Sequence, residues 1–178
     1  MTSFKDRMIG AAKLDADIYE EVEADKTAMG QAMGVVVLSS LAAGIGSIGR
    51  GGFGLEIMVT IILSLITWYV WAYITYLVGT KLLPEPQTKA DHGELLRTIG
   101  FSSSPGLIRV FGIIPGLTNV VYLIASVWML VAMIIAVRQA LDYQSTLRAV
   151  GVCAIGWIIQ TIILVLLFSI LGPSAPSS

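Results

Sequence analysis

Four long apolar runs, with no charged residue in their interiors, constrain this chain more than any other feature of its sequence. They cover about residues 29–48, 55–80, 118–137 and 149–171. Each has roughly the 20 residues that a helix needs to cross a hydrocarbon core about 30 Å thick. Charged residues make up 13% of the chain, against about a quarter in soluble domains. We therefore predict an all-α polytopic membrane protein.

A fifth apolar stretch, residues 94–115, is interrupted by two arginines, three consecutive serines and two prolines. If it were helical, the part from 94 to 114 would be about 31 Å long, just enough to cross a bilayer. Whether this stretch crosses the membrane decides the topology of the chain.

Two helix-start signals divide the interrupted stretch. Asp91 and Glu94 are spaced as a capping box, which predicts a helix that begins between them. Ser104 followed by Pro105 is a second start signal, with serine as the N-cap and proline as the first helical residue. We therefore predict two short helical pieces joined at residues 102–104.

The distribution of Lys and Arg favours five crossings, because cytoplasmic loops are enriched in these residues. With five crossings and a cytosolic amino terminus, Arg50 and Arg109 lie outside. Nine basic residues then lie inside: Lys5, Arg7, Lys13, Lys26, Lys81, Lys89, Arg97, Arg138 and Arg148. A re-entrant stretch 94–115 would give eight inside and three outside. We predict five transmembrane helices in the cell (cytoplasmic) membrane, the third short and kinked, with the carboxyl terminus outside.

The residues before the first run, 1–28, are predicted to form a cytosolic amphipathic segment, followed by a membrane domain over 29–171 and a short tail over 172–178. Asp17 and Glu20 resemble a capping box, so a helix is expected to restart there. Two interpretations stay open for the segment, which either rests at the headgroup level or docks a partner. Its apolar residues recur at steps of three or four: Phe4, Met8, Ala11, Leu14, Ile18 and Val22.

Two further patterns predict contacts with other membrane proteins or with a second copy of the chain. Gly30 and Gly34 form a GxxxG pair, whose spacing lets helix backbones approach closely in lipid. An acidic patch precedes the first span and consists of Glu20, Glu21, Glu23 and Asp25.

Groups suited to catalysis are missing from the interiors of the four long runs, although enzymes need titratable or nucleophilic groups held together. Intramembrane proteases and ion-coupled carriers place such groups near the midplane. The single histidine, His92, gives no basis for a histidine metal cluster, and a net charge of −1 gives none for nucleic-acid binding. We expect no enzymatic activity, no cofactor and no metal site.

The interruption itself has two interpretations, since a gap in a membrane helix frees backbone groups that need partners. In the first, it is a kink whose serine hydroxyls satisfy those groups. In the second, it is a site for an anion or a lipid headgroup, held by a helix N-terminus and an arginine. The candidate residues are Arg97, Gly100, Phe101, Ser102, Ser103, Ser104, Pro105 and Arg109.

Four stretches of the chain carry a family resemblance. They are residues 14–25, Tyr76–Thr80, Leu96–Pro105 with a Gly-aromatic…Pro pattern, and Trp128 through Leu141. Their order and spacing are similar to bacterial or archaeal members of the Yip1 domain family. The resemblance implies five membrane helices and a cytosolic amino terminus. Eukaryotic relatives act in vesicle trafficking and bind Rab-type GTPases, but their Asp-Leu-Tyr-Gly-Pro motif is absent here, where the nearest stretch is Asp17–Glu21.

A non-enzymatic integral membrane protein of the Yip1 type is therefore the first functional hypothesis. It would act through protein–protein or protein–lipid contacts, in membrane organisation, in a trafficking-like role or as an accessory subunit of a larger complex. The alternative is a small channel or transporter that uses the broken third helix.

Overall fold

The computed structural model describes residues 2–48 and 55–171, and that part of the chain is helical without a strand. Arg50 and the predicted tail at 172–178 lie outside the described residues. Short turns extend two helices, a 3₁₀ turn at Lys26–Ala28 and a π-helical turn at Val78–Leu82. The α-helices are α1 (Phe4–Ala12), α2 (Ala16–Ala24), α3 (Met29–Gly46), α4 (Leu55–Leu77), α5 (His92–Phe101), α6 (Thr118–Ala140) and α7 (Thr146–Leu171).

Four helical stretches are long and apolar enough to cross a membrane, which confirms the predicted all-helical membrane protein. The predicted fifth crossing depends on the interrupted stretch, whose two helical pieces have ten residues each and are singly too short. The four long stretches are Lys26–Gly46, Ile57–Leu82, Thr118–Ala140 and Thr146–Leu167.

The first piece of the interrupted stretch, α5, begins at the predicted capping box. The Glu94 N–H donates to the Asp91 carboxylate at 2.9 Å, and the Asp91 N–H donates to the Glu94 carboxylate at 2.7 Å. The helix ends at Phe101, where the Ser102 hydroxyl donates to the Ile99 carbonyl at 2.7 Å. One serine therefore satisfies a carbonyl that the interruption frees.

The second piece is a 3₁₀ helix over Ser104–Ile113, with Pro105 in its first turn. The prediction gave Ser104 as an N-cap, but it is the first helical residue, and its buried hydroxyl has no partner among the described residues. Ten residues are long for a 3₁₀ helix, which rarely exceeds one turn. This helix packs closely against α3.

The interrupted stretch runs along α3 in the same direction and at very close range. A Cβ atom added to Gly100 would lie 2.7 Å from the Ala32 Cβ, and one added to Gly46 would collide with the Arg109 carbonyl oxygen. The distance from Ala32 to Gly46 along the α3 axis is about 21 Å, at about 1.5 Å per residue. Glycine at these positions therefore permits backbone contact along most of α3.

The amino-terminal segment folds into α1 and α2, which pack against the membrane helices. Between the two helices, Leu14 has a left-handed conformation with φ of 66°. The second helix begins before the predicted Asp17, because the Asp15 side chain already caps it by accepting the Asp17 N–H at 3.1 Å. Tyr19 and Val22 are fully buried in a core that includes residues of α3 and α5. The apolar stripe of this segment thus covers the chain's own bundle.

A buried arginine fastens this pair of helices to the start of α3. Arg7 is 2% exposed and lies 2.8 Å from a carboxylate oxygen of both Glu21 and Asp25. It also donates to the Gln31 side chain at 3.0 Å. Hydrogen bonds from Thr27 and Arg7 lower the pKa of Asp25 to about 2. Half of the predicted acidic patch therefore neutralises a buried cation of the same chain.

Candidate functional site

The helices leave a cavity in two adjoining chambers next to the interruption. The first, which we call the larger chamber, has a volume of about 550 Å³ and lies between α4, α5, α6 and α7. The second, which we call the hydroxyl chamber, has a volume of about 390 Å³ and lies between α3, α4 and the 3₁₀ helix. Residues that line both chambers are Thr67, Trp68, Ser103, Arg109 and Met129.

The larger chamber has mostly apolar and aromatic walls. Met133 and Trp71 line it from α6 and α4, and Ser126 and Gln160 add two polar groups. The Ser126 hydroxyl donates to the carbonyl one turn earlier in its own helix, at 2.7 Å. This chamber is therefore suited to an apolar chain with few polar contacts.

The hydroxyl chamber is named for the side chains that line it. Five of them come from α3 and α4, and the last two named also line the larger chamber: Ser39, Ser40, Thr60, Ser64, Thr67 and Ser103. A cluster of this kind within membrane helices solvates polar atoms where water is scarce. The two chambers together thus present a polar part beside an apolar part.

Arg109 lies at the junction of the chambers. Its guanidinium is 5.7 Å from the centre of the Tyr122 ring, a cation–π distance. Its buried Nε has no hydrogen-bond partner among the described residues, and none of the ion pairs found there includes it. An arginine within membrane helices is costly unless something compensates its charge, so Arg109 is a candidate site residue.

A second buried donor without a partner lines the larger chamber. Trp71 is 7% exposed, and its indole Nε1 forms no hydrogen bond with the described residues. Other tryptophans of the bundle are satisfied, since the Nε1 of Trp68 donates to the Leu96 carbonyl at 3.1 Å and that of Trp128 to the Ala12 carbonyl at 2.8 Å. The chamber therefore offers two unsatisfied donors, one of them charged.

The structure brings only some of the predicted site residues to this cavity. Ser102 and Ser103 line the larger chamber together with Arg109. Phe101 instead packs edge-on against Phe4, with 6.4 Å between ring centres. Three further residues are buried in the packing around the interruption: Gly100, Ser104 and Pro105.

Arg97 belongs to α5 and lies away from the cavity, next to the carboxyl end of α2. It is 4% exposed, and its guanidinium donates to the Val22 carbonyl at 3.0 Å and to the Glu23 carbonyl at 3.1 Å. The two predicted arginines therefore belong to different sites. Arg97 caps the carboxyl end of a helix, whereas Arg109 lines the cavity.

The GxxxG pair is not used for packing within the described part of the chain. A Cβ added to Gly30 would meet no atom within 4 Å, and one added to Gly34 would meet only the Phe4 ring, at 3.6 Å. Much closer approaches to neighbouring atoms occur at Gly46 and Gly100. The predicted role of the pair in contacts with other chains stays a prediction.

The rest of the acidic patch faces a polar cavity of about 490 Å³ between α2 and the end of α6. Glu20 accepts a hydrogen bond from the Gln139 side chain at 2.9 Å. Burial raises the pKa of Glu23 to about 7, and the nearby carboxylates of Glu94, Asp142 and Glu20 add to this effect, while Arg97 opposes it. Glu23 therefore changes charge near neutral pH.

We expect Glu23→Gln to stabilise the protein at pH 8 and to have little effect at pH 5. A carboxyl with a raised pKa keeps its proton in the folded state and loses it in the unfolded state. Stability therefore falls as pH rises from about 4.5 to about 7. Half-exposure limits the gain to about 1 kcal/mol. Thermal midpoints in detergent would measure it, and an equal gain at both pH values, or the same pH dependence in the exposed control Asp17→Asn, would contradict it.

Several residues that line the cavity stand out in the sequence, but the sequence does not show that they lie together. Thr67 and Gln160 are polar residues within apolar runs, and such residues are expected to bond across helices. The structure instead turns them towards the same larger chamber, where they join Trp71 and Met129. Which face of each helix points inward could not be read from runs that are apolar on every side.

Comparison with known proteins gives one match. The model of the Yip1 domain family matches residues 16–168, which covers nearly all the described helices. No curated protein and no solved structure matches the chain. Within residues 2–48 and 55–171, no group of three or more His, Cys, Asp or Glu side chains is placed to hold a metal ion. The sequence resemblance is thereby confirmed, and the chain belongs to the Yip1 domain family.

Proposed function

We propose that this chain is a five-span membrane protein that acts without catalysis, by binding lipid within its helical bundle. The observation that carries the proposal is the cavity between α4, α6 and α7, whose apolar walls face an arginine with a buried Nε that has no hydrogen-bond partner among the described residues. Such a protein is suited to membrane organisation, to a trafficking-like role or to service as an accessory subunit.

The contacts of the interrupted stretch support a third crossing. Gly100 lies against Ala32 near the start of α3, and Arg109 lies against Gly46 at its end. A stretch that runs alongside a membrane-spanning helix for about 21 Å covers most of the hydrocarbon thickness. Together with the count of basic residues, this supports five crossings with the amino terminus in the cytosol.

Cysteine labelling tests this topology. In a Cys153→Ser background, Lys89→Cys precedes the third crossing and Leu117→Cys follows it, and both wild-type residues are exposed. We expect a membrane-impermeant maleimide to label Lys89→Cys only from the cytosolic side and Leu117→Cys only from the opposite side. Labelling of both from the same side would show that the stretch is re-entrant.

Native mass spectrometry tests the lipid-binding role. We expect the wild-type protein, extracted in a mild detergent, to retain about one lipid per chain at a collision energy that strips loosely held lipid. Complete loss of lipid at the lowest energy that removes the detergent would contradict the proposal.

The channel or transporter alternative is not favoured by the form of the cavity. The larger chamber has mostly apolar walls, formed by residues such as Met133 and Trp157, rather than a continuous row of polar groups. A permeation path needs polar or charged groups along its length to replace the hydration of an ion. An acyl chain fits these walls better.

A further inference from the structure

We infer that the cavity binds an anionic phospholipid, with the phosphate at Arg109 and an acyl chain in the larger chamber. This inference rests on the proposed lipid-binding function and names the class of lipid. Three observations carry it: the sign of the charge at the junction, the division into a polar and an apolar chamber, and the direction in which the cavity runs.

The charge at the junction is positive, and none of the ion pairs among the described residues includes it. The Arg109 Nε is buried without a hydrogen-bond partner among the described residues. A guanidinium donates hydrogen bonds and cannot accept them, so the ligand must supply acceptor atoms at this point. Phosphate oxygens meet that need, and a guanidinium binds phosphate more strongly than it binds a neutral acceptor. A carboxylate that would favour a zwitterionic headgroup is not among the lining residues.

The two chambers match the two parts of a phospholipid. The hydroxyl chamber places Ser64 and Ser103 beside Arg109, where they can solvate a headgroup. The larger chamber leads from Arg109 to Cys153 along apolar and aromatic walls. A small polar anion alone would leave this larger volume unfilled, whereas an acyl chain occupies it.

The direction of the cavity suits a lipid from the outer leaflet in the proposed topology. Arg109 contacts Tyr122, which is only about 6 Å along the axis from the start of α6 at the outer end. Cys153 lies in the half of α7 nearer the cytosol. The headgroup therefore lies towards the outer surface, and the chain points to the middle of the bilayer.

The larger chamber also has a side entrance. Leu130 of α6 and Trp157 of α7 both line it, and they are 53% and 72% exposed. Side chains that are exposed in the isolated chain face lipid in the membrane. A phospholipid can therefore enter sideways between α6 and α7 without passing through the bundle.

The test is lipid competition on the full chain. Delipidated protein in a mild detergent is given equal amounts of phosphatidylglycerol and phosphatidylcholine with identical acyl chains, and bound lipids are counted by native mass spectrometry. We expect one tightly held phosphatidylglycerol, preferred about tenfold, as a single charge-assisted hydrogen-bonded contact provides. Excess glycerol phosphate should not displace it, because the acyl chain contributes to binding; displacement would mean a site for a free anion and would overturn the inference.

Matched variants assign the preference to Arg109. Arg109→Gln should abolish the preference, and Arg109→Lys should restore part of it because the charge returns. Arg148→Gln removes an exposed arginine at the cytosolic end of α7 and should leave the preference unchanged. Since Arg109→Gln could destabilise the fold, Ala154→Phe provides a second variant that fills the larger chamber and leaves the arginine intact. It should release the tightly held lipid.

The outcomes separate this inference from the function on which it rests. Equal retention of both lipids by the wild type and by Arg109→Gln would overturn the anionic preference and leave lipid binding standing. A preference lost equally in Arg148→Gln would show surface attraction only and would also overturn the inference. No retained lipid in any variant would contradict the proposed function itself.

Discussion

Gly46→Ala is expected to lower the thermal midpoint of the protein by roughly 10 °C, the shift that a loss of about 3 kcal/mol produces in a domain of this size. The added Cβ would collide with the carbonyl oxygen of Arg109. Because that oxygen belongs to the backbone, the 3₁₀ helix must move away from α3 as a unit. Thermal unfolding in detergent, followed by circular dichroism, would measure the loss.

Gly30→Ala is the matched control, since it adds the same methyl group to the same helix. A Cβ at Gly30 meets no atom within 4 Å. Alanine in an exposed helical position should therefore stabilise the protein by about 0.5 kcal/mol. If the two variants had equal midpoints, the backbone contact between Gly46 and the 3₁₀ helix would not exist in the folded protein.

Gly46→Ala should also weaken the lipid site, because the residue that it displaces is Arg109. Stability and lipid retention would then fall together in Gly46→Ala, whereas Gly30→Ala would lower neither of them. The close approach of two backbones thus fixes the position of the cation that the cavity presents.

The fold could be predicted from the sequence wherever a local pattern decides it. The apolar runs gave the long helices, and the capping box at Asp91 and Glu94 gave the start of α5. The start of α2 was placed two residues late, since the side chain of Asp15 rather than Asp17 caps it. These features depend on residues within one turn of each other.

The cavity could not be predicted, because it depends on contacts between distant parts of the chain. Residues 104–113 wind as a 3₁₀ helix that packs against Gly46, and no local pattern in the sequence distinguishes this winding from an α-helix. The runs that form α6 and α7 are apolar on every side, so the inward direction of Ser126 or Gln160 was hidden. Arg109 looked equivalent to Arg97 in the sequence, and only the folded chain separates the two.

Arg97→Met is expected to destabilise the protein by about 2–4 kcal/mol, the range for removing one partner of a buried charged hydrogen-bond group. Methionine keeps the apolar stem of the side chain but has no donor. The carbonyls of Val22 and Glu23 would then stay buried at the end of α2 without the guanidinium that now satisfies them. We therefore expect a lower thermal midpoint and faster hydrogen exchange over residues 16–24, because α2 loses its hydrogen bonds to α5.

Arg138→Met is the matched control for this change. Arg138 also donates to two backbone carbonyls, of Tyr143 at 3.1 Å and Gln144 at 3.4 Å, but its side chain is half-buried and water can replace it. We expect its loss to cost less than about 1.5 kcal/mol and to leave exchange in α2 unchanged. If Arg97→Met cost no more than Arg138→Met, the guanidinium of Arg97 would not hold α2 to the bundle. The anion-site prediction for Arg97 would then regain support, because its charge would be available to a ligand.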